Sequence, residues 1–377
     1  MVRFVHTADW QLGMSRHFLD TDAQARFTAA RIDAVRRLGA LAAAQRCDFV
    51  IVCGDVFESN HVSRQIVLRS LEAMAEVEVP VFLLPGNHDP LDASSVFRSE
   101  SFRTHRPPNV HVLAGGDPVE VAPGVALVGA PWRSKRPGAD LVTAALAELP
   151  SDGTLRIVAG HGAVDVLSPD RTDQARIVLR SVEAALADGR VHFVALGDRH
   201  SRTDVGGSGR VWYSGTPEPT DFDEVDPGLA LVVELAAGAC DVTAHPVGTW
   251  HFAEHRAELV DGAAVAQLGR WLASLPAKER TAVRLSLVGT LGLEDHSALL
   301  ELLDHQAQLL ASVQRWVKRS DLVVLPSDED LGRLDLHGFA ARACEELVAA
   351  AAAGGQDGAV AADALALLHR LATGRAA

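Results

Sequence analysis

Pro85-Gly86-Asn87-His88-Asp89-Pro90 sets an amide, an imidazole and a carboxylate in a row, directly after the apolar run from Val79 to Leu84. Such a run ending at Pro-Gly reads as a buried strand that stops in a sharp loop. The three polar residue types suit turns for conformational reasons alone, so they gain chemical meaning only through partners. Partners are present. Val2 to Thr7 leads to Asp9 and Gln11, Asp48 to Cys53 to Asp55, Leu155 to Ala159 to His161, and Val191 to Leu196 to Asp198 and His200. Each time an apolar strand ends in a small residue and then in oxygen or imidazole donors. Donors of these types converging from several loops hold hard divalent cations. Two such cations sharing one carboxylate activate a water and neutralise phosphoryl charge during in-line attack. The collected ligand candidates are Asp9, Gln11, Asp55, Asn87, His161, Asp198 and His200. His88, beside Asn87, is placed to stabilise a transition state or protonate a leaving oxygen, with Asp89 fixing its tautomer.

The elements that must position these residues follow from periodicity. Helical spacing of Phe27, Ile32, Val35, Leu38 and Leu41 predicts a helix from Gln24 to Ala44, between the first two strands. Strand, helix, strand implies parallel strands, so their carboxyl ends share a sheet edge. A second helix is predicted from Ile66 to Glu76, short strands between about 110 and 130, and helices at Asp140 to Leu149 and around Ser181 to Leu186. Val211 to Gly215 and Leu229 to Leu235 add strands. After about residue 245 the ligand-type loops cease, and a strand at Thr281 to Val288, a helix at Asp295 to Gln308 and a strand-like piece within Trp316 to Leu325 read as a small α/β domain. The Ala-rich stretch from Leu331 to Leu371, broken at Gly354-Gly355, fits two amphipathic helices.

At 377 residues the chain has room for two or three domains. Its apolar runs fall short of the roughly 18 residues that cross a bilayer, and no signal-peptide core opens it, so a soluble cytoplasmic protein with no membrane partner is expected. Cys47, Cys53, Cys240 and Cys344 are scattered, which excludes a disulfide framework and a Cys-based zinc ribbon. A net charge of -14 argues against a protein that coats nucleic acid through its overall field. Local basic clusters at Arg98, Arg103, His105 and Arg106, and at Arg133, Lys135 and Arg136, suit either a solvated surface or a rim for a polyanionic substrate.

The motifs Asp9-x-Gln11, Gly54-Asp55, Gly86-Asn87-His88-Asp89, Gly160-His161 and Gly197-Asp198-x-His200 resemble those of the calcineurin-like metallophosphoesterases. Within that family the chain looks most like the SbcD-type nuclease subunits that act on DNA ends, YhaO-like proteins among them. His6 to Trp10, Gly54 to Phe57 and Tyr213 to Glu218 carry that narrower match. The resemblance implies an α/β fold, a four-layer α/β/β/α sandwich with a small capping domain and C-terminal helices. Its domains would be 1–245 (nuclease), 246–328 (capping and DNA recognition) and 329–377 (helices that dock an ATPase).

By the same resemblance, Asp9, Gln11, Asp55 and His200 hold one metal ion and Asp55, Asn87, His161 and Asp198 the other, with Asp55 bridging. The family usually has His where this chain has Gln11 and Asp198, and the nucleases often have His where it has Glu58. The shift toward oxygen donors favours Mn2+, or Mg2+, over zinc. Trp10, Arg16, Glu58, Arg133 and Arg199 are the expected substrate contacts, although Trp10 and Trp132 also suit simple packing, and Gln11 a hydrogen bond to a neighbouring loop. The implied activity is two-metal exonuclease or endonuclease cleavage at DNA ends in double-strand-break repair. The implied partners are DNA, an SbcC-like coiled-coil ATPase and a second copy of the chain, which would pair through helices 24–44 and 62–76. A phosphodiesterase or phosphatase of small nucleotides, and a catalytically weak DNA-end-binding scaffold, are the alternatives.

Overall fold

The computed structural model describes residues 1–115, 117–170, 172–324 and 338–372. The chain forms two compact units, one of Met1–Arg16 with Gln24–Trp250, the other of His17–Ala23 with everything from His251 onward.

In the first unit the elements run β1 (Val2–Thr7), α1 (Thr21–Ala44), β2 (Phe49–Cys53), α2 (Arg64–Ala75), β3 (Val81–Leu84), α3 (Glu100–His105), β4 (Val110–Val112), β5 (Val119–Ala122), β6 (Val125–Gly129), α4 (Leu141–Ala147), β7 (Leu155–His161), α5 (Leu179–Ala187), β8 (Phe193–Gly197), β9 (Thr203–Asp204), β10 (Val211–Tyr213), β11 (Leu229–Leu235) and β12 (Cys240–Pro246). They make two six-stranded sheets, ordered β12-β11-β1-β2-β3-β4 and β5-β6-β7-β8-β10-β9. Strands β1 to β4 are mutually parallel, with Val5 opposite Val50 and Val52 opposite Leu83, and β6, β7, β8 and β10 are parallel in the second sheet.

Side chains alternate across a strand, so a strand covered on both faces is apolar throughout. In β2, Phe49, Ile51 and Cys53 turn toward the second sheet and join Phe4, Phe82, Ile157 and Phe193 in one core. Val50 and Val52 turn the other way, onto Leu38 and Leu71 of α1 and α2. The second sheet repeats the arrangement, with Val128, Val158 and Val194 packed on Val142, Leu146 and Val182 of α4 and α5. The result is the four-layer α/β/β/α sandwich. Phe4 stacks on Phe49 at 5.2 Å and meets Phe193 edge-on at 5.6 Å, tying the sheets together.

This architecture changes one expectation. The residue pattern alone suggested one sheet edge for all five ligand loops; instead β1, β2 and β3 of one sheet and β7 and β8 of the other deliver them. The loops converge because the two carboxyl edges lie side by side. His6 on β1 marks the seam, its Nε2 donating to the Leu196 carbonyl of β8 at 3.1 Å.

The second unit contains β13 (His251–Leu259), α6 (Gly262–Ser274), β14 (Thr281–Leu291), α7 (Leu293–Ala307), β15 (Ser312–Arg315) and β16 (Asp321–Val324), all four strands forming one parallel sheet. Two further helices, Phe339–Ala353 and Gly355–Ala372, follow. Leu347, Val348, Leu365 and Leu368 turn inward to join Leu293 in a small core, while Leu367 is exposed. The predicted helical stretch from 331 to 337 lies outside the described residues. Among the described residues no helix is long and apolar enough to cross a membrane.

Candidate metal centre

Four of the candidate donors stand on left-handed backbone, with φ of 54° at Asp9, 42° at Gln11, 51° at Asp55 and 96° at Asp198. Such conformations cost about 1–3 kcal/mol each and persist only where the surroundings over-determine them. Here the β1 and β2 loops keep pairing beyond their strands. Asp9 N donates to the Gly54 carbonyl at 3.1 Å, Gln11 N to Asp55 at 2.8 Å and Leu12 N to Val56 at 2.9 Å. Glycine is needed where these loops meet the second sheet, because a methyl group at Gly54 would overlap the His161 ring and one at Gly197 the Cys53 carbonyl.

All seven sequence-derived donors come together. Ligating atoms of Asp9, Asp55 and His161 lie within 4.8 Å of one another. His161 Nε2 is 2.6 Å from Asn87 Oδ1, 3.5 Å from Asp55 Oδ1 and 3.8 Å from Asp198 Oδ1, while its Nδ1 donates to the Cys53 carbonyl at 2.8 Å. Asp198 N donates to both Asp9 carboxylate oxygens at 3.1 and 3.2 Å. His200 Nε2 lies 4.0 Å from Asp9 Oδ1 and 3.3 Å from Gln11 Nε2.

Burial pushes the Asp9 carboxyl up to about 7, and the Asp55 and Asp198 charges add to the shift. Asp198 is raised, again first by burial. Burial alone would depress the imidazoles, but Asp55, Asp9 and Asp198 lift His161 to about 9. His200 reaches about 9 against its own burial through the Glu224 hydrogen bond and the Asp9 charge. The cluster therefore demands positive charge. Gln11 Oε1 is buried with no hydrogen-bond partner among the described residues, an arrangement that costs about 1–3 kcal/mol unless a cation or donor meets it. Carboxylate, amide and imidazole donors without a thiolate fit hard divalent cations, and these residues would hold them.

The structure relocates several expected roles. Asp89 does not touch the His88 ring. Its carboxylate is fully buried and accepts from Phe57 N at 2.9 Å and Gly86 N at 2.8 Å, because the turn leaves those two amides without carbonyl partners. The carbonyl of Glu58 instead takes the proton of His88 Nδ1 at 2.9 Å, leaving Nε2 free 4.0 Å from Asp55 Oδ2. Trp10 is only 2% exposed and donates to Thr7 Oγ1 at 3.1 Å, so it packs and cannot stack on a substrate. Trp132 is also buried, its Nε1 fixing the His161 carbonyl at 2.7 Å. Arg133 and Arg199 are exposed, on the Ala114 carbonyl at 2.7 Å and Thr203 Oγ1 at 2.9 Å respectively. Arg16 and Glu58 are half-buried, and Glu58 Oε2 and Arg16 Nε have no hydrogen-bond partner among the described residues.

Two supports escaped the sequence reading. The buried guanidinium of Arg31 donates to the carbonyls of Trp10 at 2.9 Å, Pro219 at 3.0 Å and Glu218 at 3.3 Å, clamping the β1 loop to the segment after β10. Its signal was available: with Phe27 and Val35 it forms an i, i+4 series, a cation on an apolar helix face. Glu224, which meets His200 Nδ1 at 2.9 Å, lies in an irregular loop where no periodicity marks it.

Residues 2–233 match the calcineurin-like phosphoesterase family. Among curated relatives, the D subunit of the SbcCD nuclease from Rhodobacter capsulatus is 28% identical over 288 residues, covering 63% of this chain and 67% of that protein. Its counterpart from Escherichia coli is 24% identical over 260 residues, covering 59% and 62%. The chain thus spans about two thirds of the length of these relatives. A dimetal phosphatase from Danio rerio aligns over 65% of this chain and 96% of its own at 14% identity, with a TM-score of 0.42. With the family match running from β1 into β11 and enclosing every candidate ligand, the chain belongs to the calcineurin-like phosphoesterases and is a metal-dependent hydrolase.

Proposed function

We propose that the chain is a two-metal phosphodiesterase that cleaves DNA at ends, the nuclease component of a double-strand-break repair complex with an SbcC-like ATPase. The observation that carries the reading is the meeting of Asp9, Asp55 and His161, with Gln11, Asn87, Asp198 and His200 around them from the same five loops and the half-exposed His88 beside them. The similarity to the D subunits of two SbcCD nucleases supports DNA as the substrate. Asp9, Gln11, Asp55 and His200 would hold one cation and Asp55, Asn87, His161 and Asp198 the other, Mn2+ before Mg2+. The chemistry supplied by a bound cation pair is activation of water and neutralisation of phosphoryl charge. His88, with Nδ1–H given to the Glu58 carbonyl, would when protonated donate from Nε2–H to a phosphoryl oxygen or to the leaving oxygen.

Arg16, Arg133 and Arg199 are proposed to contact phosphates. Residues 1–245 are assigned the hydrolysis, 246–328 the capping and DNA-recognition role, and 329–377 the ATPase docking, for which exposed Phe339, Val360 and Leu367 are available. Pairing of two copies through α1 and α2 completes the assembly, placed in the cytoplasm. A second reading, hydrolysis of small nucleotides, is favoured by the net charge of -14, which repels long polyanions.

Purified protein with Mn2+ on linear duplex DNA, single-stranded DNA and a small phosphodiester separates the two. Cleavage of linear DNA is expected. Brisk small-ester turnover with intact DNA would replace the nuclease reading by the second, and DNA binding without any hydrolysis would leave only a scaffold.

A further inference from the structure

Glu224 is a buried carboxylate that no ion pair with Lys or Arg explains; among the described residues its partners are one imidazole and one short turn. It accepts from Thr220 N at 2.9 and 3.2 Å, from Asp221 N at 3.2 Å and from the Thr220 hydroxyl, so its position is fixed from three sides. His200 Nδ1 lies 2.9 Å from Glu224 Oε1 and 2.6 Å from Thr220 Oγ1. On the opposite side of the ring Nε2 faces Gln11 Nε2 at 3.3 Å, and an amide N–H can only donate. Glu224 Oε1 and Thr220 Oγ1, whose own proton goes to Glu224, both accept at Nδ1, so that nitrogen carries a proton and Nε2 is the atom directed at Asp9 and Gln11.

We infer that Glu224, seated by Thr220, is the positioning residue that presents His200 to a cation through Nε2, setting the affinity of the Asp9, Gln11 and His200 position separately from that of Asn87, His161 and Asp198. The inference rests on the two-cation reading above. It follows from a general property of metal-bound imidazoles, whose remote nitrogen donates to a carboxylate or carbonyl that fixes ring and tautomer, and whose loss costs about 10–100-fold in metal affinity. The second position has a different support, since His161 Nδ1 is held by the Cys53 carbonyl within the strand framework. Removing Glu224 leaves that bond untouched.

The test is Mn2+ binding by calorimetry and electron paramagnetic resonance on the full-length protein, for wild type, Glu224→Ala, Glu224→Gln and His200→Ala. Wild type should bind two ions and His200→Ala should lose one. Glu224→Ala should weaken one ion about 10–100-fold and leave the other unchanged, while Glu224→Gln, which keeps an acceptor oxygen opposite Nδ1, should retain most of the lost affinity. Two wild-type affinities in Glu224→Ala, or equal weakening of both, would overturn the role of Glu224 while the two-cation reading stands. A wild type that binds fewer than two ions would overturn both. A fold-independent check is nitrogen NMR of the Mg2+-loaded wild type, where a proton on His200 Nδ1 is expected and a proton on Nε2 refutes the assignment.

Discussion

Replacing Asp89 distinguishes a structural clamp from a partner of His88. Each of its carboxylate oxygens takes one buried backbone N–H, Phe57 N at 2.9 Å and Gly86 N at 2.8 Å, and thereby ties the β3 turn to the loop after β2. An orphaned buried N–H costs about 1–3 kcal/mol. Asp89→Ala orphans both, for a loss of about 2–6 kcal/mol. Asp89→Asn keeps one acceptor oxygen and turns an NH2 group toward the other amide, for about 1–3 kcal/mol. Urea unfolding followed by tryptophan fluorescence measures both, with Trp132 reporting from the same wall of the site. Activity should fall in the same order, because Asn87 and His88 ride on the turn. If Asp89→Ala unfolds within about 0.5 kcal/mol of wild type while hydrolysis collapses, the clamp reasoning is wrong and Asp89 acts chemically.

Three further outcomes are expected. His88→Ala should abolish most hydrolysis and leave Mn2+ binding near wild type, since its Nε2 is 4.0 Å from the nearest carboxylate oxygen and its Nδ1 is spent on Glu58; parallel loss of bound metal would refute the separation of roles. Asp55→Ala should release both ions, and a full two-ion complement by calorimetry would overturn its proposed bridging role. Burial holds His6 down to about 3, so the unfolded chain takes up a proton near 6.5 that the folded chain refuses. Stability contributed by neutral His6 is therefore present above pH 6.5 and lost as pH falls toward 3, at about 1.4 kcal/mol per unit and at most about 5 kcal/mol. His6→Phe should flatten the acid limb of a pH series of urea melts, and an unchanged limb would contradict the assignment.

The parallel framework was legible because both faces of its strands are covered. Phe49 to Cys53 is apolar without a break since alternate residues enter different cores, and such runs survive as a signal even without periodicity. The elements that went unread lack that property. β12, Cys-Asp-Val-Thr-Ala-His-Pro, pairs only with β11 and shows half-exposed polar positions, as an edge strand does. β13 carries His251, Glu254, His255, Arg256 and Glu258 within nine residues, and α6 carries a helix-weakening Gly269 in its interior. Their order comes from the second unit's packing, where Leu259, Val265, Leu268 and Leu272 meet Leu285 and Leu287.

The convergence of the candidate donors was legible for a different reason, and the same reason explains which expected contacts the structure relocates. A ligand must stand in a loop just past a strand, so its type and place are both visible in the sequence. A support is defined only by what it reaches. Arg31 lies 21 residues from the Trp10 carbonyl it holds, Glu224 lies 24 from His200, and Trp132 lies 29 from the His161 carbonyl. Asp89 shows the same limit at close range, since adjacency to His88 suggested a shared bond that the turn's own unpaired amides claimed first. Unpaired buried amides are more costly than a half-exposed imidazole, whose Nδ1 already has the Glu58 carbonyl. Where a carboxylate has both within reach, the amides prevail. Asp89 is therefore tied to the turn that carries Asn87 and His88, and of its two neighbours on that turn His88 is the one proposed for the chemistry.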